Sequence, residues 1–512
     1  MKKFKSKFIA ASMAAMCSFS AAALPLTTAS AQNTLIGYKG DLNHDLTVSV
    51  ADAVILSSYL NTTASISSDD TVYADLNSDS IVDIFDLIAL RKCIAGKQEP
   101  IGIYEEVSII EDFISAPIDA VKASLPSQGD AKLVIFYVDF PDCKYTVDFT
   151  ADEIQNIAFG SADSSNSNYP FESMSAFYNR SSKGEMKLDG QVFRYTTKEN
   201  QSAYNTDKVK LAEECYDAFK DSVDFSLYDG DNDGMIDATL FTVPTAAGDT
   251  DWWPCAGGFG DSSYSVDGKS IGHIITGNAQ IESSTSYTNF VSSYLHEMGH
   301  CMGLPDYYLY TSTDYEGMHG EAGIELMDAD ASSDFSSFSK IMLGWYRKNQ
   351  ISVYDSSSGT QTFTLNNAQT DDGNCVIIPY GSLDSRYFSE YMVIEYSTNT
   401  ANNSGLAWWQ SSGSGIRIHH INAALQEDYW YTYLKYQNGS EYTNGDDDGI
   451  RLIRLVGDSS GGSFFKTGDI INSSTPGFGW YDSSEAESIN PNVQISIGEC
   501  TNDQYTITIS KT

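Results

Sequence analysis

The stretch 294–306 contains two histidines whose spacing could hold a metal ion. His296 and His300 are four residues apart, so on a helix they lie on the same face, one turn above the other. Glu297 follows the first histidine, where a carboxylate can take a proton from a water molecule at the open coordination position of a metal. These residue types at this spacing predict a zinc site with a general base beside it.

The same stretch offers a third ligand. Gly303 can end the helix and let the chain turn, which would bring Asp306 to the same ion. Three protein ligands leave the fourth zinc position open for water, as in catalytic rather than structural sites. With 7 His and 69 acidic residues in 512, the H-(D/E)-x-x-H core is expected by chance roughly 0.01 times per chain. The alternative is an amphipathic core helix whose histidines bind no metal.

A scaffold of strands and helices is needed to position this stretch, and the apolar patterns around it predict an α/β domain. Residues 132–141 form a run of β-favouring apolar and aromatic residues that ends at an Asp and a Pro, which predicts a buried strand. The following patterns predict helices at 174–179, 207–220 and 290–301, and strands at 186–188, 192–195 and 238–243.

Length and charge limit the classes of protein. A chain of 512 residues with 41% hydrophobic residues can form two or three packed domains. Its net charge of −39 would repel nucleic acid and anionic membrane surfaces, so we expect neither as a partner. The excess of carboxylates keeps an exported protein soluble and supplies oxygen ligands for calcium.

The first residues have the three parts of a secretory signal. Lysines in the first seven residues precede an apolar, Ala-rich run and the small-residue pattern Ala29-Ser30-Ala31, which predicts a signal peptide at 1–31 and a secreted, extracellular protein. No later run approaches the ~18 apolar residues that span a bilayer, so we expect no membrane insertion. Seven cysteines follow the signal without a C-x-x-C pair, which argues against a zinc ribbon or a disulfide scaffold.

An acidic loop is repeated at an offset of 34 residues near the N-terminus. Each copy has oxygen donors at the spacing that wraps a loop around Ca²⁺, and a helical apolar pattern follows each copy. A solvated turn would explain one such loop, but two in register predict two calcium sites. The ligands are expected to be Asp41, Asn43, Asp45, Thr47, Ser49 and Asp52 in the first loop, and Asp75, Asn77, Asp79, Ile81, Asp83 and Asp86 in the second.

The repeat resembles the type I dockerins, small calcium-dependent modules that attach enzymes to cohesin domains of cellulosome-like scaffolds. The resemblance covers about 37–96 and implies a cohesin as partner. It departs from the family at Leu46 and Ser80, where the sharp turn of the loop favours Gly. The recognition positions of the family fall on Val50, Ala51, Ser57 and Ser58 in the first repeat, and on Ile84, Phe85, Arg91 and Lys92 in the second. Because the two sets differ, they could form two unlike faces.

A third acidic loop follows within the main domain. Asp229, Asp231, Asp233, Met235 and Asp237 keep the calcium spacing, with Gly at the sixth position, and the loop runs into a strand rather than a helix. A bound Ca²⁺ that pins this strand is favoured over a plain turn.

The main domain resembles the secreted peptidases typified by immune inhibitor A, which are similar to metzincins. The resemblance implies that His296, His300 and Asp306 bind one zinc ion, that Glu297 is the base, and that Met327 forms the Met-turn beneath the metal. Many metzincins have His as the third ligand, whereas this chain has Asp. The matching segments are 134–141, 229–237, 296–307, 326–328 and 339–345, with a continuation into 390–395 and 413–422, so most of 130–430 is covered.

These patterns divide the chain into five parts. Short strand patterns separated by Gly, Asn and Ser turns fill the last part and predict a β-sandwich-like domain. The expected fold class is an α/β (α+β) metzincin-like zinc peptidase domain, with a small α calcium-binding dockerin before it. The expected limits are 1–31 for the signal peptide, 37–96 for the dockerin, 97–126 for a linker with one short helix, 127–350 for the catalytic domain and 351–512 for the β-rich domain.

The combination predicts a secreted zinc endopeptidase that acts on protein or peptide substrates and carries its own dockerin. Two alternatives stay open. One is a catalytically inactive, calcium-stabilised binding or adhesion protein displayed on the scaffold. The other is a glycoside hydrolase, because dockerins commonly accompany such enzymes, but it would need a paired carboxylate site and would leave the zinc motif without a role.

Overall fold

The computed structural model describes most of the chain. The predicted signal peptide at 1–31 lies outside the described residues, as does Asp45 of the first acidic loop. In the part that is described, no helix has both the length and the apolarity to cross a bilayer. The described residues are 32–43, 47–61, 71–77, 79, 81–98, 100–107, 123–244, 250–260, 263–278, 281–308, 323–328, 333–381, 383, 390–405, 413–422, 425–427, 434–436, 453–457, 464–482 and 487–512.

The N-terminal repeat folds into short helices around a small core. Side chains of Leu56, Leu87 and Leu90 are buried in this core. Strand β1, which precedes the repeat in sequence, pairs antiparallel with strand β2, which follows it. The elements are β1 (Gln32–Tyr38), α1 (Val50–Leu60), α2 (Thr71–Ala74), α3 (Ile84–Ile94) and β2 (Gly102–Val107).

Strand β2 falls in the segment 97–126, for which the sequence predicts a linker with a short helix. Its six residues instead pair with the strand before the repeat, so the two ends of the repeat are held together. Pairing of this kind depends on a distant partner strand, which local patterns do not reveal. Residues 108–122 lie outside the described part of the chain.

A largely parallel sheet organises the predicted catalytic domain. Its strand order is β4-β3-β5-β8-β6, with β7 also paired to β8, and only β6 and β7 run antiparallel to their neighbour. The strands are β3 (Gly129–Asp139), β4 (Met186–Thr196), β5 (Met235–Val243), β6 (Cys255–Gly258), β7 (Ser265–Val266) and β8 (Lys269–Asn278). The helices are α4 (Ala151–Phe159), α5 (Met174–Ser181), α6 (Lys208–Phe219), α7 (Ser284–Cys301) and α8 (Ser337–Met342).

Alternate residues of β3 separate two hydrophobic cores, one on each face of this sheet. Leu133 and Ile135 face a core shared with α4, α5, α7 and α8. Val134 and Phe136 face the other core, which α6 covers. Period-2 alternation in a strand buried on both faces explains why the sequence shows an unbroken apolar run here.

Strand β4 is a single strand where the sequence predicts two, at 186–188 and 192–195. The intervening Asp189-Gly190 resembles a turn, but Gly190 stays in register with Leu133 of β3. A Cβ at Gly190 would lie 1.9 Å from the carbonyl oxygen of Leu133, so the glycine serves close backbone approach rather than a turn.

The C-terminal residues form two sheets that share a hydrophobic core. Side chains such as Ile394 and Ile418 of one sheet and Ile495 and Ile507 of the other lie in this core. The first sheet has the order β16-β13-β12-β11-β9, and the second has the order β10-β21-β20-β17. Their strands are β9 (Ile351–Val353), β10 (Gln361–Asn366), β11 (Cys375–Pro379), β12 (Glu390–Ser397), β13 (Gly415–Asn422), β16 (Ile453–Leu455), β17 (Ile470–Ile471), β20 (Val493–Thr501) and β21 (Gln504–Lys511), and two hairpins add β14 (Leu425–Glu427) with β15 (Leu434–Tyr436) and β18 (Trp480–Tyr481) with β19 (Glu487–Ile489).

The five-stranded sheet is buried on both faces, because its second face packs on the predicted catalytic domain. Tyr391, Val393 and Ile421 belong to the same core as α7 and α8. Buried hydrogen bonds also join the two parts, since the Ser337 amide of α8 donates to Glu395 of β12. The β-rich part is therefore continuous in packing with the elements that carry the metal-binding motif.

Candidate metal centre

Helix α7 carries both histidines on one face, with His296 buried and His300 half-buried. Ser283 caps the helix by accepting a hydrogen bond from the Ser286 amide. Apolar residues of the helix, among them Leu295 and Met298, pack into the core beneath the sheet. The helix is thereby fixed in rotation, so His296 and His300 face the same side at their four-residue spacing.

The chain reverses just after α7 and brings Asp306 back to the histidines. Gly303 has φ 98°, a conformation that favours glycine, and the Leu304 amide donates to the Gly299 carbonyl at 3.1 Å. The Nε2 atom of His296 lies 2.8 Å from Asp306 Oδ1, and Nε2 of His300 lies 3.3 Å from the same oxygen. The three predicted zinc ligands therefore meet at one point.

Backbone carbonyls orient both imidazole rings. His296 Nδ1 lies 2.8 Å from the Leu326 carbonyl, and His300 Nδ1 lies 2.7 Å from the Leu304 carbonyl. A carbonyl oxygen only accepts, so each Nδ1 carries the proton. Each Nε2 is then the nitrogen that faces Asp306, which is the tautomer a metal ligand needs.

The electrostatics of the three side chains favour a positive charge between them. Burial disfavours a charged ring at His296, but the hydrogen bond and charge of Asp306 outweigh it and raise the pKa of His296 to about 9. Burial likewise opposes ionisation of Asp306, yet the two histidines hold the pKa of its carboxyl well below the usual range. A cation held at the shared point would satisfy the same demand.

The donor set fits zinc. Zinc takes imidazole nitrogen and carboxylate oxygen at bonds of about 2.0–2.2 Å, so neighbouring ligands of a tetrahedral ion lie about 3.3 Å apart. The separations of 2.8 and 3.3 Å are within about half an ångström of that spacing. Small side-chain movements would therefore be enough to accept the ion.

Glu297 lies beside this cluster in a nearly closed environment. Its side chain is buried, and burial raises the pKa of its carboxyl, while the neighbouring histidines act in the opposite sense. A backbone hydrogen bond from Ala256 of strand β6 holds the carboxylate. A buried carboxyl with a raised pKa is suited to accept and return a proton.

Met327, the residue predicted to form the Met-turn, packs against the histidine helix. A Cβ built at Gly299 would come within 2.5 Å of Met327 Sδ, so the thioether packs against the helix at a residue between the two histidines. The preceding Leu326 supplies the carbonyl that holds His296. Close packing here requires glycine on the helix.

Several groups at this centre are not found by sequence patterns. The Leu326 and Leu304 carbonyls carry no sequence signal, because any residue has a carbonyl. Glu325 is buried and accepts hydrogen bonds from the Met327 amide and from Ser339 of α8. The only sequence signal for Glu325 is that it is an acidic residue two positions before Met327. A single Glu of this kind does not indicate a role at the metal centre.

The third acidic loop brings three of its predicted ligands together. Asp229, Asp231 and Asp237 have carboxylate oxygens within 4.8 Å of one another. Asp233 turns to the backbone and accepts from the Met235 amide at 2.8 Å. The sequence pattern is thus reproduced as a compact loop.

Other groups already contact these carboxylates. Lys269 Nζ lies 2.5 Å from Asp229 Oδ2. Asp237 accepts hydrogen bonds from the Gly230 and Lys132 amides, at 2.9 and 2.8 Å. Burial raises the pKa of Asp237 to about 7. The sequence pattern did not include Lys269, which is 40 residues away from Asp229.

In the N-terminal repeat, the last acid of each loop ties the loop to its helix. Asp52 accepts from the Leu42, Asn43 and Ser49 amides, and Asp86 accepts from those of Asn77 and Asp83. The Asp79 amide donates to both Asp75 and Asn77, so the second loop turns its oxygens inward. Among the described residues, no three acidic side chains converge in either loop as closely as in the two clusters above.

The predicted cohesin-binding positions lie on the surface of α1 and α3. Val50, Ser57, Ser58 and Arg91 line one groove of about 590 Å³. The remaining positions, Ala51, Ile84, Phe85 and Lys92, are exposed but do not line it. The structure therefore brings together three residues of the first set and one cation of the second.

Two segments of the chain match models of known protein families. The dockerin type I domain matches residues 39–96, and the immune inhibitor A peptidase M6 catalytic domain matches residues 128–251. The peptidase match ends before 296–306, so the roles of the histidines and acids there depend on their own geometry. No curated protein matches the chain.

Two solved structures are similar to the chain at low identity, both of wild-type OgpA from Akkermansia muciniphila. The first, in P 41 21 2, has 14% identity, covers 77% of this chain and 97% of its own, and has a TM-score of 0.26. The second, in P 21 21 21, has 12% identity, covers 76% and 95%, and has a TM-score of 0.25. At these TM-scores the likeness supports no conclusion about fold or function. The chain therefore combines a segment that matches the type I dockerin domain with a segment that matches the catalytic domain of the immune inhibitor A peptidases (M6).

Proposed function

We propose that this chain is a secreted zinc endopeptidase that hydrolyses peptide bonds of proteins, with His296, His300 and Asp306 as zinc ligands and Glu297 as general base. The observation that carries the proposal is the convergence of two Nε2 atoms on Asp306 Oδ1, at 2.8 and 3.3 Å. The peptidase match at 128–251 supports the same class of reaction.

A bound Zn²⁺ would polarise the scissile carbonyl and lower the pKa of a water at its open position to about 7. Glu297 receives a proton from the attacking water on its carboxylate, which its buried position and raised pKa favour. It then delivers that proton to the nitrogen of the leaving amine. The Leu326 and Leu304 carbonyls keep both rings in the Nδ1-protonated form throughout.

The finer features of the fold belong to the same proposal. Contact between Met327 and Gly299 supports a metzincin-like Met-turn. The two sheets that share one core support a β-sandwich-like C-terminal domain at 351–512, packed on a catalytic domain at 127–350. Signal cleavage after Ala31 would leave Gln32 as the first residue of the secreted chain.

Calcium and a cohesin complete the proposal. The two N-terminal loops would each hold one Ca²⁺, and the dockerin at 37–96 would attach the enzyme to a cohesin-bearing, cellulosome-like scaffold. The groove lined by Val50, Ser57, Ser58 and Arg91 supports this face as the binding surface. A third Ca²⁺ at Asp229, Asp231 and Asp237 would have to compete with the Lys269 ammonium.

The deciding experiment combines metal analysis with proteolysis. We expect about one zinc per purified chain, cleavage of casein, and loss of cleavage on treatment with a zinc chelator. Glu297→Gln should retain zinc and lower the rate by about 10²–10⁴-fold, since it removes proton transfer alone. Glu499→Gln, at an exposed carboxylate of β20, is the matched control and should cleave like the wild type.

Two results would contradict the proposal. One is full activity in material that contains no transition metal. The other is a folded, zinc-loaded protein that cleaves no protein or peptide in a broad library, which would favour the inactive binding protein instead.

A further inference from the structure

The turn 325–328 contacts the proposed ligand His296 and also Tyr307, the residue next to the proposed ligand Asp306. The Leu326 carbonyl accepts from His296 Nδ1 at 2.8 Å. The Met327 carbonyl accepts from the Tyr307 amide at 2.9 Å, and Tyr307 directly follows Asp306. A change in this turn would therefore move a histidine and the carboxylate together.

The side chain of Glu325 holds this turn from within. Glu325 is only 1% exposed. Its Oε2 accepts from the Met327 amide at 2.5 Å, and its Oε1 accepts from the Ser336 amide at 3.2 Å and from Ser339 Oγ at 2.6 Å. The carboxylate thus joins the turn to helix α8.

A second connection runs from the same carboxylate to the chain beside Asp306. Tyr307 Oη and Ser339 Oγ are 2.9 Å apart. Ser339 has one hydroxyl proton, and it is donated to Glu325, so the tyrosine must be the donor in this contact. Glu325 therefore organises Tyr307 through Ser339 as well as through the turn.

All three named contacts require Glu325 to accept. A carboxylate offers acceptors only, whereas an amide of the same shape has one acceptor oxygen and one donor NH₂. In a glutamine at 325, either orientation would set the NH₂ against a backbone N–H. At least one buried hydrogen bond would be lost, and the turn would have to shift.

We propose that Glu325 is a positioning residue of the metal centre, which fixes His296 through Leu326 and Asp306 through Tyr307 and thereby sets the affinity for zinc. This inference rests on the proposed zinc site. Outer groups that orient metal ligands typically contribute 10–100-fold to metal affinity or activity. Glu325 touches neither the ligand atoms nor Glu297 in any contact described above.

The test measures metal binding in the full chain, apart from activity. Zinc affinity is obtained by competition with a chromogenic chelator, and ligand geometry from the visible absorption of the cobalt-substituted protein. Glu325→Gln should weaken zinc binding by about 10–100-fold and change the cobalt spectrum. Tyr307→Phe, which removes only the hydroxyl bonded to Ser339, should change both in the same direction by less, and it serves if Glu325→Gln does not fold.

Glu395→Gln is the matched control. Glu395 is also a buried carboxylate that accepts an amide of α8, from Ser337 at 2.9 Å, but its described contacts do not include the turn. It should lower Tm while zinc affinity and the cobalt spectrum stay as in the wild type. An equal loss of affinity in Glu395→Gln would overturn the inference, because general destabilisation would then explain both variants.

The remaining outcomes separate this inference from the proposed function. If the wild type binds zinc and folded Glu325→Gln matches it in affinity and cobalt spectrum, the role of Glu325 is wrong and the zinc site stands. If the wild type itself binds neither zinc nor cobalt, the proposed function is wrong, and the role inferred for Glu325 is wrong as well.

Discussion

Two clusters in the predicted catalytic domain each bring three potential ligand atoms within 4.8 Å of one another, yet their surroundings differ. At the end of α7, backbone carbonyls accept hydrogen bonds from the Nδ1 atoms of the two histidines. Both Nε2 atoms therefore face Asp306. In the loop 229–237, a lysine contacts Asp229 and two amides contact Asp237. Spacing in sequence brings potential ligands together. The surrounding groups decide whether a metal ion or the protein itself balances the charge of the carboxylates.

The largest effect should come from removing a ligand of the first cluster. His296→Ala removes a proposed zinc ligand and leaves Asp306 facing one histidine. Loss of the metal removes several kcal/mol of transition-state stabilisation, so the rate of peptide cleavage should fall on the order of 10³-fold or more. Zinc content and initial rates measure this.

Asp231→Asn is the matched ligand removal in the second cluster. It should leave zinc content and cleavage within about twofold of the wild type, because this loop lies outside the proposed reaction. A comparable loss of zinc in Asp231→Asn would show that the two clusters are not independent.

The second prediction concerns pH and Asp237. Burial raises the pKa of this carboxyl to about 7, so between the unfolded pKa near 4 and pH 7 the folded chain binds the extra proton. The contribution of Asp237 to the free energy of unfolding is then most favourable below pH 4 and declines as the pH rises toward 7, by up to a few kcal/mol. Urea unfolding in a calcium chelator should show this decline as a difference between the wild type and Asp237→Asn.

Asp237→Asn stays neutral, so its stability should depend less on pH over the same interval. Added Ca²⁺ should reduce the decline in the wild type, because a cation favours the ionised carboxylate. Parallel pH profiles for the two proteins would contradict the assigned environment of Asp237.

A third prediction compares glycines of the two clusters. At Gly299 a Cβ would meet the flexible Met327 thioether at 2.5 Å, whereas at Gly230 it would meet the Asp130 carbonyl at 2.2 Å. A thioether can move and a backbone carbonyl cannot, so Gly299→Ala should cost about 1 kcal/mol and Gly230→Ala about 3 kcal/mol of unfolding free energy. Zinc affinity should change only in Gly299→Ala, because Met327 adjoins the carbonyl that holds His296.

Local spacing was enough to predict that His296, His300 and Asp306 meet, but not which groups orient them. His296, His300 and Asp306 lie within eleven residues, so helix geometry and one glycine turn relate them. The hydrogen bond between Ser339 and Glu325 joins residues 14 apart in sequence, and the contact between Lys269 and Asp229 joins residues 40 apart. No local sequence pattern predicts such contacts. Interactions of this range depend on the tertiary fold.

The same distinction applies to the elements of the fold. Helix α7 begins at Ser284, six residues before the predicted start at 290, because its first turns are polar and only the Ser283 cap marks them. Strand β2 needed a partner strand some 70 residues away. In contrast, α6 carries its own apolar signal, and its residues Lys208–Phe219 lie within the predicted span 207–220.

The smallest effect should come from Lys269, and it bears most directly on how the two clusters differ. The Lys269 ammonium contacts Asp229, and together with the loop amides it holds the pKa of that carboxyl below its usual value although burial opposes this. Lys269→Met removes the competing cation while keeping the apolar stem, so Ca²⁺ should bind the loop about tenfold more tightly, equal to about 1.4 kcal/mol. Isothermal titration of the chain with both N-terminal loops disabled by Asp52→Ala and Asp86→Ala would isolate this site. Unchanged affinity would mean that the lysine does not compete with calcium at this loop, and no binding in either protein would mean that the second cluster is a structural ion pair rather than a calcium site.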